Sequence, residues 1–248
     1  MKTRRGVSAQ LKNVNNVTHH NKQLPLNIGL REGVSFAGFH AAGNEEPLHA
    51  LQQLIAGEGE TVLYLWARAG AGKSHLLQSA CQAVAETGAP TAYVPLSLHA
   101  ELDTAMLQDL EHTSLVCIDD VHLVAGNTEW ETALFHLFNG AHARQVPLLF
   151  SANSVPAELG LGLPDLATRL AWGLVLHVAE LKDEEKINAL RLRAQQRGFE
   201  LPLEVGRYLL QRSPRNMVAL FDLLDHLDQA SLAAQRKLTI PFVRELIR

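Results

Sequence analysis

The chain has 248 residues, 47% hydrophobic and only 6% aromatic, which is enough for one large or two small domains with mostly aliphatic cores. Its net charge of −4 argues against a protein that acts mainly on nucleic acid, where a basic face is expected. Two cysteines in apolar segments, Cys81 and Cys117, indicate reduced core thiols in a cytosolic protein. Because the sequence has neither an 18-residue apolar window nor the apolar run of a signal peptide, we expect a soluble, intracellular protein.

The N-terminal segment differs from the rest of the chain. Residues 1–22 carry five Lys and Arg residues and no acidic residue, without hydrophobic periodicity, and we expect a disordered basic tail. The stretch QLPLNI, residues 23–28, closes this segment with three apolar side chains. Considered alone, so short a run is most simply a leader strand that packs on the chain's own core.

From about residue 35 the sequence alternates between two hydrophobic patterns. Continuous apolar runs predict five strands, and helical spacing predicts the intervening helices, one of them over residues 103–112. This alternation predicts an α/β domain at 35–181, with a parallel sheet covered on both faces. After residue 181 only helical patterns follow, the first with Asp183 as its expected N-cap, so 182–248 is predicted to be a small all-helical domain. The predicted strands are 61–67, 91–96, 114–118, 146–152 and 173–181.

A glycine-rich segment, ARAGAGKS at residues 67–74, joins a predicted strand to a predicted helix. It matches the phosphate-binding pattern G-x-x-x-x-G-K-[ST] except that Ala67 replaces the first glycine. Glycines permit tight turns whose N–H groups cradle phosphates, the lysine brings a mobile charge, and the serine hydroxyl can ligate Mg²⁺. A chance Gly/Ala-rich turn is the alternative. The predicted nucleotide-binding residues are Arg68, Ala69, Gly70, Ala71, Gly72, Lys73, Ser74 and His75.

Polar residues at later strand ends extend this prediction. Asp119 and Asp120 follow the apolar run LVCI, and in P-loop proteins such a carboxylate holds the metal, which would place Asp119 near Ser74. Asp120 is then expected to orient or activate the attacking water. Asn153, after LLFSA, is expected to hydrogen-bond this water or the γ-phosphate, unless it only forms a turn before SVP. Arg169 lies on a short predicted helix, either as a finger reaching a neighbour's nucleotide or as an ordinary surface arginine.

The order of these motifs resembles the AAA+ family, and in particular the ATPase core of the bacterial replication initiator DnaA. GKSHLL, IDD and TRLAWGL stand where GKTHLL, IDD and SRFGWGL-type segments stand there, and the resemblance covers roughly residues 35–248. It implies an αβα domain with a C-terminal helical lid, and ATP or ADP with Mg²⁺ as cofactors. It also places Val218 where the family has a lid sensor arginine, so Arg215 is the nearest candidate for that nucleotide contact.

Two further features are similar to the regulatory members of this family that inactivate DnaA. QLPLNI resembles the Q-L-x-L-x-[LF] peptides that dock on the β sliding clamp of DNA polymerase III. The resemblance ends with the lid, whereas DnaA continues into a basic DNA-binding domain, so we expect no sequence-specific DNA binding and no membrane association. The clamp-contacting residues implied by the resemblance are Gln23, Leu24, Leu26 and Ile28.

This resemblance implies a negative regulator of replication initiation. The protein would act in the cytoplasm, at the nucleoid and replisome. There, with ADP or ATP bound, it would present Arg169 in trans to DnaA-bound ATP and promote its hydrolysis. Its own ATPase activity would be weak or absent, and whether it forms a homo-oligomer stays open.

Two other functions are compatible with the motifs. A helicase loader of the DnaC kind needs an N-terminal helicase-binding module, which the short tail does not resemble, and it would bind the replicative helicase but not the clamp. A self-sufficient P-loop ATPase or small-molecule kinase predicts substantial turnover by the chain alone. A kinase would also need a phosphoacceptor pocket, for which the sequence shows no sign.

Overall fold

A single five-stranded sheet organises the first two thirds of the chain. The computed structural model describes residues 34–214 and 216–247, so the tail 1–22, the peptide 23–28 and Arg215 lie outside the described residues. All pairings are parallel, in the order β2-β3-β4-β1-β5, which confirms the predicted five-stranded parallel sheet. The strands are β1 Val62–Trp66, β2 Thr91–Pro95, β3 Leu115–Asp119, β4 Leu148–Ala152 and β5 Leu174–His177.

Helices cover both faces of this sheet. Neighbouring residues of β1 point to opposite sides, with Leu63 in one core and Tyr64 in the other. Both faces are therefore buried, which explains why the strands are nearly continuous apolar runs. Two helices pack on each face: α1 Glu45–Ile55 and α2 Lys73–Ala85 on one, α3 Thr128–Ala143 and α4 Pro164–Leu170 on the other.

The C-terminal helices build a third core of their own. Leu190, Leu209, Leu220 and Leu224 are fully buried in it. Helices α5 and α6 approach so closely that a Cβ at Gly206 would lie 3.0 Å from Ile187 Cγ2. No helix in the described part of the chain is long and apolar enough to cross a membrane. The helices are α5 Asp183–Gln196, α6 Leu203–Arg212, α7 Met217–Ala234 and α8 Ile240–Leu246.

The prediction of a helix over residues 103–112 is wrong. The segment forms two short 3₁₀ turns, Thr104–Leu107 and Leu110–His112. Asp103 caps the first turn by accepting a hydrogen bond from the Ala105 N–H at 2.7 Å. Asp109 then adopts a left-handed conformation with φ of 64°, which interrupts any continuous helix.

The last strand and the first lid helix also differ from prediction. β5 ends at His177, not at residue 181. Beyond this point the buried Asn44 side chain takes the place of a neighbouring strand. Its Oδ1 accepts a hydrogen bond from the Ala179 N–H at 2.7 Å, and its Nδ2 donates to the Ala179 carbonyl at 3.1 Å. Helix α5 begins at Asp183, so the N-cap is Lys182. Its N–H donates to the Glu185 carboxylate at 2.6 Å.

Candidate functional site

The glycine-rich segment forms a tight loop between β1 and α2. Gly70 and Gly72 have φ of 86° and 102°, in the left-handed region, and Gly72 is the N-cap of α2. A Cβ at Gly72 would also lie 2.9 Å from Phe39 Cε2, so a side chain is excluded by both conformation and space. The loop therefore directs the first N–H groups and the positive dipole end of α2 towards an open cleft, as anion binding requires.

Ala67 stands at the position where the phosphate-binding pattern has its first glycine. Its N–H donates to the Ala152 carbonyl at 3.2 Å and its methyl group is buried in the core beneath α2. The methyl group thus points away from the cleft, and the loop keeps its geometry despite the departure from the pattern. Arg68 is exposed and offers only its carbonyl to the site, and Ala71 is buried in the same core as Ala67.

Lys73 is the cation at the centre of the cleft. The residue is 5% exposed, and its Nζ donates to the carbonyls of Ala67 at 2.9 Å and Arg68 at 3.2 Å. Burial lowers the pKa of Lys73, and the negative charges of Asp120 and Asp119 act in the opposite direction. The ammonium group is therefore held inside the loop by neutral carbonyls, facing two carboxylates across the cleft.

Asp119, at the end of β3, is fixed by two hydroxyl groups. It is 3% exposed; Tyr93 donates to its Oδ2 at 2.7 Å and Ser151 donates to its Oδ1. Gln78 donates in turn to the Tyr93 hydroxyl at 3.0 Å. Neutral donors on three elements thus orient a carboxylate that shares the cleft with Ser74, the geometry expected of a metal-binding carboxylate with fixed outer partners.

Asp120 follows directly in a strained conformation. Its φ is 59°, and its N–H donates to Ser151 Oγ at 2.9 Å. Burial, then the neighbouring Asp119, raises the pKa of Asp120 to about 6, while Lys73 opposes this shift. A carboxyl group with a pKa so near neutrality can accept a proton from a water molecule more readily than an ordinary aspartate.

The other end of the cleft is built from residues 34–39 and from the lid. His75, on the first turn of α2, is hydrogen-bonded through Nε2 to the Ser35 carbonyl at 2.9 Å, and its ring packs on Phe39. Burial lowers the pKa of His75. Opposite, the described part of the lid lines the cleft, which encloses about 480 Å³. The lid residues are Arg193, Met217, Val218 and Phe221.

Two predicted site residues lie elsewhere. Asn153 follows β4 but its side chain is exposed, is not part of the cleft lining, and accepts only from Ser154 Oγ at 3.3 Å. Arg169, on α4, is also absent from the cleft lining. Its guanidinium lies over the Trp172 ring, 3.9 Å from the centroid, and this ring is 51% exposed. Arg169 is therefore presented on an outer face and not to the chain's own cleft.

A buried carboxylate supports the helix that carries Arg169. Glu131 is 1% exposed and accepts hydrogen bonds from the N–H groups of Gly126 at 2.6 Å, Gly162 at 3.0 Å and Leu163 at 2.7 Å. Leu163 is the N-cap of α4, so this carboxylate fixes the start of the helix. Sequence reasoning missed Glu131, because a glutamate within an amphipathic helix usually faces solvent.

Tyr93 and Ser151 were missed as well. The only signal was positional: Pro95 pairs with Asp119 in the sheet, and Ser151 lies near the end of β4, so both side chains belong to strands that flank Asp119. That placement depends on strand order, which the sequence patterns do not specify.

The residues present fit a nucleoside di- or triphosphate with Mg²⁺. The glycines permit the left-handed turns of the loop, the helix end and Lys73 supply positive potential, and hard oxygen donors come from Ser74 and Asp119. When bound, Mg²⁺ would neutralise charge on the phosphates, with Ser74 and Asp119 as its protein ligands.

Comparisons with known proteins agree with this architecture. The sequence-family model of the bacterial DnaA ATPase domain matches residues 32–177, and the family model described as "Hda, lid domain" matches residues 183–247. Domain III of the Thermotoga maritima replication initiation protein DnaA is similar in structure, with a TM-score of 0.75, 23% identity, and coverage of 86% of this chain and 95% of that one.

DnaA in other solved states is similar too. AMPPCP-bound DnaA from Aquifex aeolicus gives a TM-score of 0.64 at 19% identity, covering 79% of this chain and 66% of that one. DnaA bound to AMPPCP and single-stranded DNA gives 0.66 at 18% identity, covering 84% and 69%. At these sequence identities, the similar structures establish only the fold of this chain. The family is established by the two family models, which together match most of the described sequence. The chain belongs to the DnaA-related AAA+ family, as a member with an Hda-type lid.

Proposed function

We propose that this protein is a nucleotide-bound negative regulator of replication initiation that promotes hydrolysis of ATP held by DnaA. Its own cleft would hold ADP or ATP with Mg²⁺, through the loop from Ala69 to His75 and through Asp119. Support comes from the glycine geometry, the buried Lys73 and the oriented carboxylate. The proposal locates the protein in the cytoplasm.

The position of Arg169 carries this proposal. A cation that serves the chain's own nucleotide would line its own cleft, whereas Arg169 rests on the exposed Trp172 at an outer face. Such an arginine can enter a neighbouring molecule's site and stabilise the charge that develops on transferring phosphate oxygens. Because the chain matches the DnaA ATPase domain, we propose a DnaA protomer as that neighbour.

The sliding clamp is the proposed anchor. Gln23, Leu24, Leu26 and Ile28 would dock on it as an extended peptide, with the leucines and isoleucine in an apolar groove and the glutamine amide as the polar contact. Ile28 precedes the buried Val34 by six positions in the sequence, and Val34 lines the nucleotide cleft. By holding the protein on loaded clamps, this contact would bring Arg169 to DnaA at sites where replication has begun.

The direct test is hydrolysis of radiolabelled ATP bound to DnaA, with and without clamp-loaded DNA. We expect stimulation only when this protein and the loaded clamp are both present. A Gln23→Ala, Leu24→Ala double variant should lose clamp binding and stimulation while keeping its own nucleotide. Unchanged clamp binding by that variant would contradict the anchoring role.

The same experiment separates the other functions. Hydrolysis of free ATP by the purified chain, at a rate comparable to the stimulated one, would indicate a self-sufficient ATPase. Binding to the replicative helicase without binding to the clamp would indicate a helicase loader.

A further inference from the structure

The lid helix α7 offers no positive charge to the nucleotide cleft within the described part of the chain. Its cleft-lining residues are Met217, Val218 and Phe221, and Val218 is 46% exposed there. A nucleoside di- or triphosphate brings several negative charges, and the cleft-lining Lys73 belongs to α2, outside the lid. The lid wall therefore lacks an evident partner for the phosphates if only α7 is considered.

Helix α5 supplies a cation to this wall. Arg193 lines the cleft, and two of its nitrogens bond one carboxylate on α7: Nε to Asp225 Oδ1 at 3.2 Å and Nη2 to Asp225 Oδ2 at 2.7 Å. Its guanidinium also lies over the Phe221 ring, 4.7 Å from the centroid. A paired carboxylate and an aromatic face hold the planar group in one orientation, so little side-chain entropy remains to be lost on binding a ligand.

One donor group of Arg193 remains available. Nη1 makes no hydrogen bond to any residue in 34–214 or 216–247, and the side chain is 27% exposed. Ser74 and His75 line the same cleft as Arg193. His75 follows Ser74 on the first turn of α2, where the phosphate-binding N–H groups lie. The free donor therefore belongs to a residue that shares the cleft with the phosphate-binding loop.

We propose that Arg193 is the lid's ligand for the nucleotide, donating from Nη1 to a phosphate oxygen. This inference rests on the proposed nucleotide binding by the cleft. Arg193, on α5, would make the nucleotide contact that the family's sensor arginine makes from the position of Val218 on α7. This contact would couple the lid to the presence of a phosphate. Adenosine, which lacks this phosphate, would leave the lid contact unmade.

Arg197, the C-cap of the same helix, provides a matched control. It bonds Asp225 at 3.0 Å and Asp228 at 2.8 and 2.9 Å, so it shares the α5–α7 network, but it does not line the cleft. The experiment measures ADP affinity by calorimetry for the nucleotide-free full chain. Melting temperature and helical circular dichroism are recorded for each variant. The variants are Arg193→Gln, Arg193→Lys and Arg197→Gln.

We expect Arg193→Gln to weaken ADP binding about 10- to 100-fold, the range for a lost hydrogen bond to a charged group. Arg193→Lys should lie between that variant and wild type, since the charge is kept and the planar fork is lost. Arg197→Gln should lower the melting temperature with an ADP affinity within about threefold of wild type.

Two results would overturn the inference in distinguishable ways. Equal ADP affinity for wild type and Arg193→Gln would give Arg193 a purely structural role and leave nucleotide binding intact. Equal losses of affinity in Arg193→Gln and Arg197→Gln would assign the effect to lid stability. If wild type itself bound no ADP, the proposed nucleotide binding would fail together with this inference.

Discussion

The nucleotide cleft and the outer face of α4 differ in how they treat their charges. In the cleft, Lys73 faces Asp119 and Asp120; carbonyl groups of the same chain hold Lys73, and hydroxyl groups hold the Asp119 carboxylate. On α4, Arg169 makes no ion pair in the described residues and rests only on the exposed Trp172 ring. The cleft is electrostatically self-contained, whereas the α4 face offers a cation without a partner. This difference is the basis of our proposal that the cleft retains a ligand and that the α4 face acts on another molecule.

The strongest way to break the α4 face is to remove its support. Glu131→Ala removes the buried carboxylate that accepts hydrogen bonds from three partly buried N–H groups, so we expect the free energy of unfolding to fall by about 2–4 kcal/mol. Denaturant unfolding measures this change. Glu129→Ala, at an exposed neighbour on the same helix, should change stability by no more than about 0.5 kcal/mol. A Glu131→Ala variant as stable as this control would refute the supporting role.

Lys73 is the position at which a substitution should impair nucleotide binding by the cleft most strongly. Lys73→Ala should weaken ADP binding about 100-fold, because a hydrogen-bonding charge is lost from a buried position. Calorimetric titration with ADP measures this loss. Because we assign the clamp contact to residues 23–28 and not to the loop, clamp binding should persist in this variant. Unchanged ADP affinity would show that nucleotide does not occupy the loop.

These two positions also illustrate what sequence can predict. Lys73 and its glycines were predictable because the loop is a local signal: turn residues between a strand and a helix, in fixed order. Glu131, Tyr93 and Asn44 were not, because each acts on a segment distant in the chain that only strand order and helix packing bring near. The β5 end was mispredicted for the same reason, since a side chain replaces a strand there.

Protonation distinguishes the two regions further. The pKa of Asp120 is about 6 in the folded chain against an ordinary value of 3.8, so ionisation costs stability as pH rises from about 4 through 6. Asp120→Asn removes this cost. The variant should match wild type near pH 4 and be more stable by about 1–3 kcal/mol at pH 7.5. Unfolding free energies at several pH values test this, and a difference that does not vary with pH would contradict it.

The smallest effect is expected at Trp172. Removing its ring by Trp172→Leu takes away an exposed cation–π contact of about 0.5–1 kcal/mol, which holds the Arg169 side chain in place. We expect stimulation of DnaA-bound ATP hydrolysis to fall about two- to fivefold, with ADP binding unchanged. Leu232→Ala, at a residue 72% exposed on the lid, is the control and should leave both quantities unchanged.

The separation of an inward site from an outward cation is tested most directly in one assay. Single-turnover hydrolysis of DnaA-bound ATP on clamp-loaded DNA is compared between Arg169→Ala and Asp120→Asn. We expect Arg169→Ala to lose stimulation by at least 100-fold, since an arginine finger contributes about 10³–10⁵ in kcat. Asp120→Asn, altered only in its own cleft, should still stimulate. Full stimulation by Arg169→Ala, with loss in Asp120→Asn, would contradict this account.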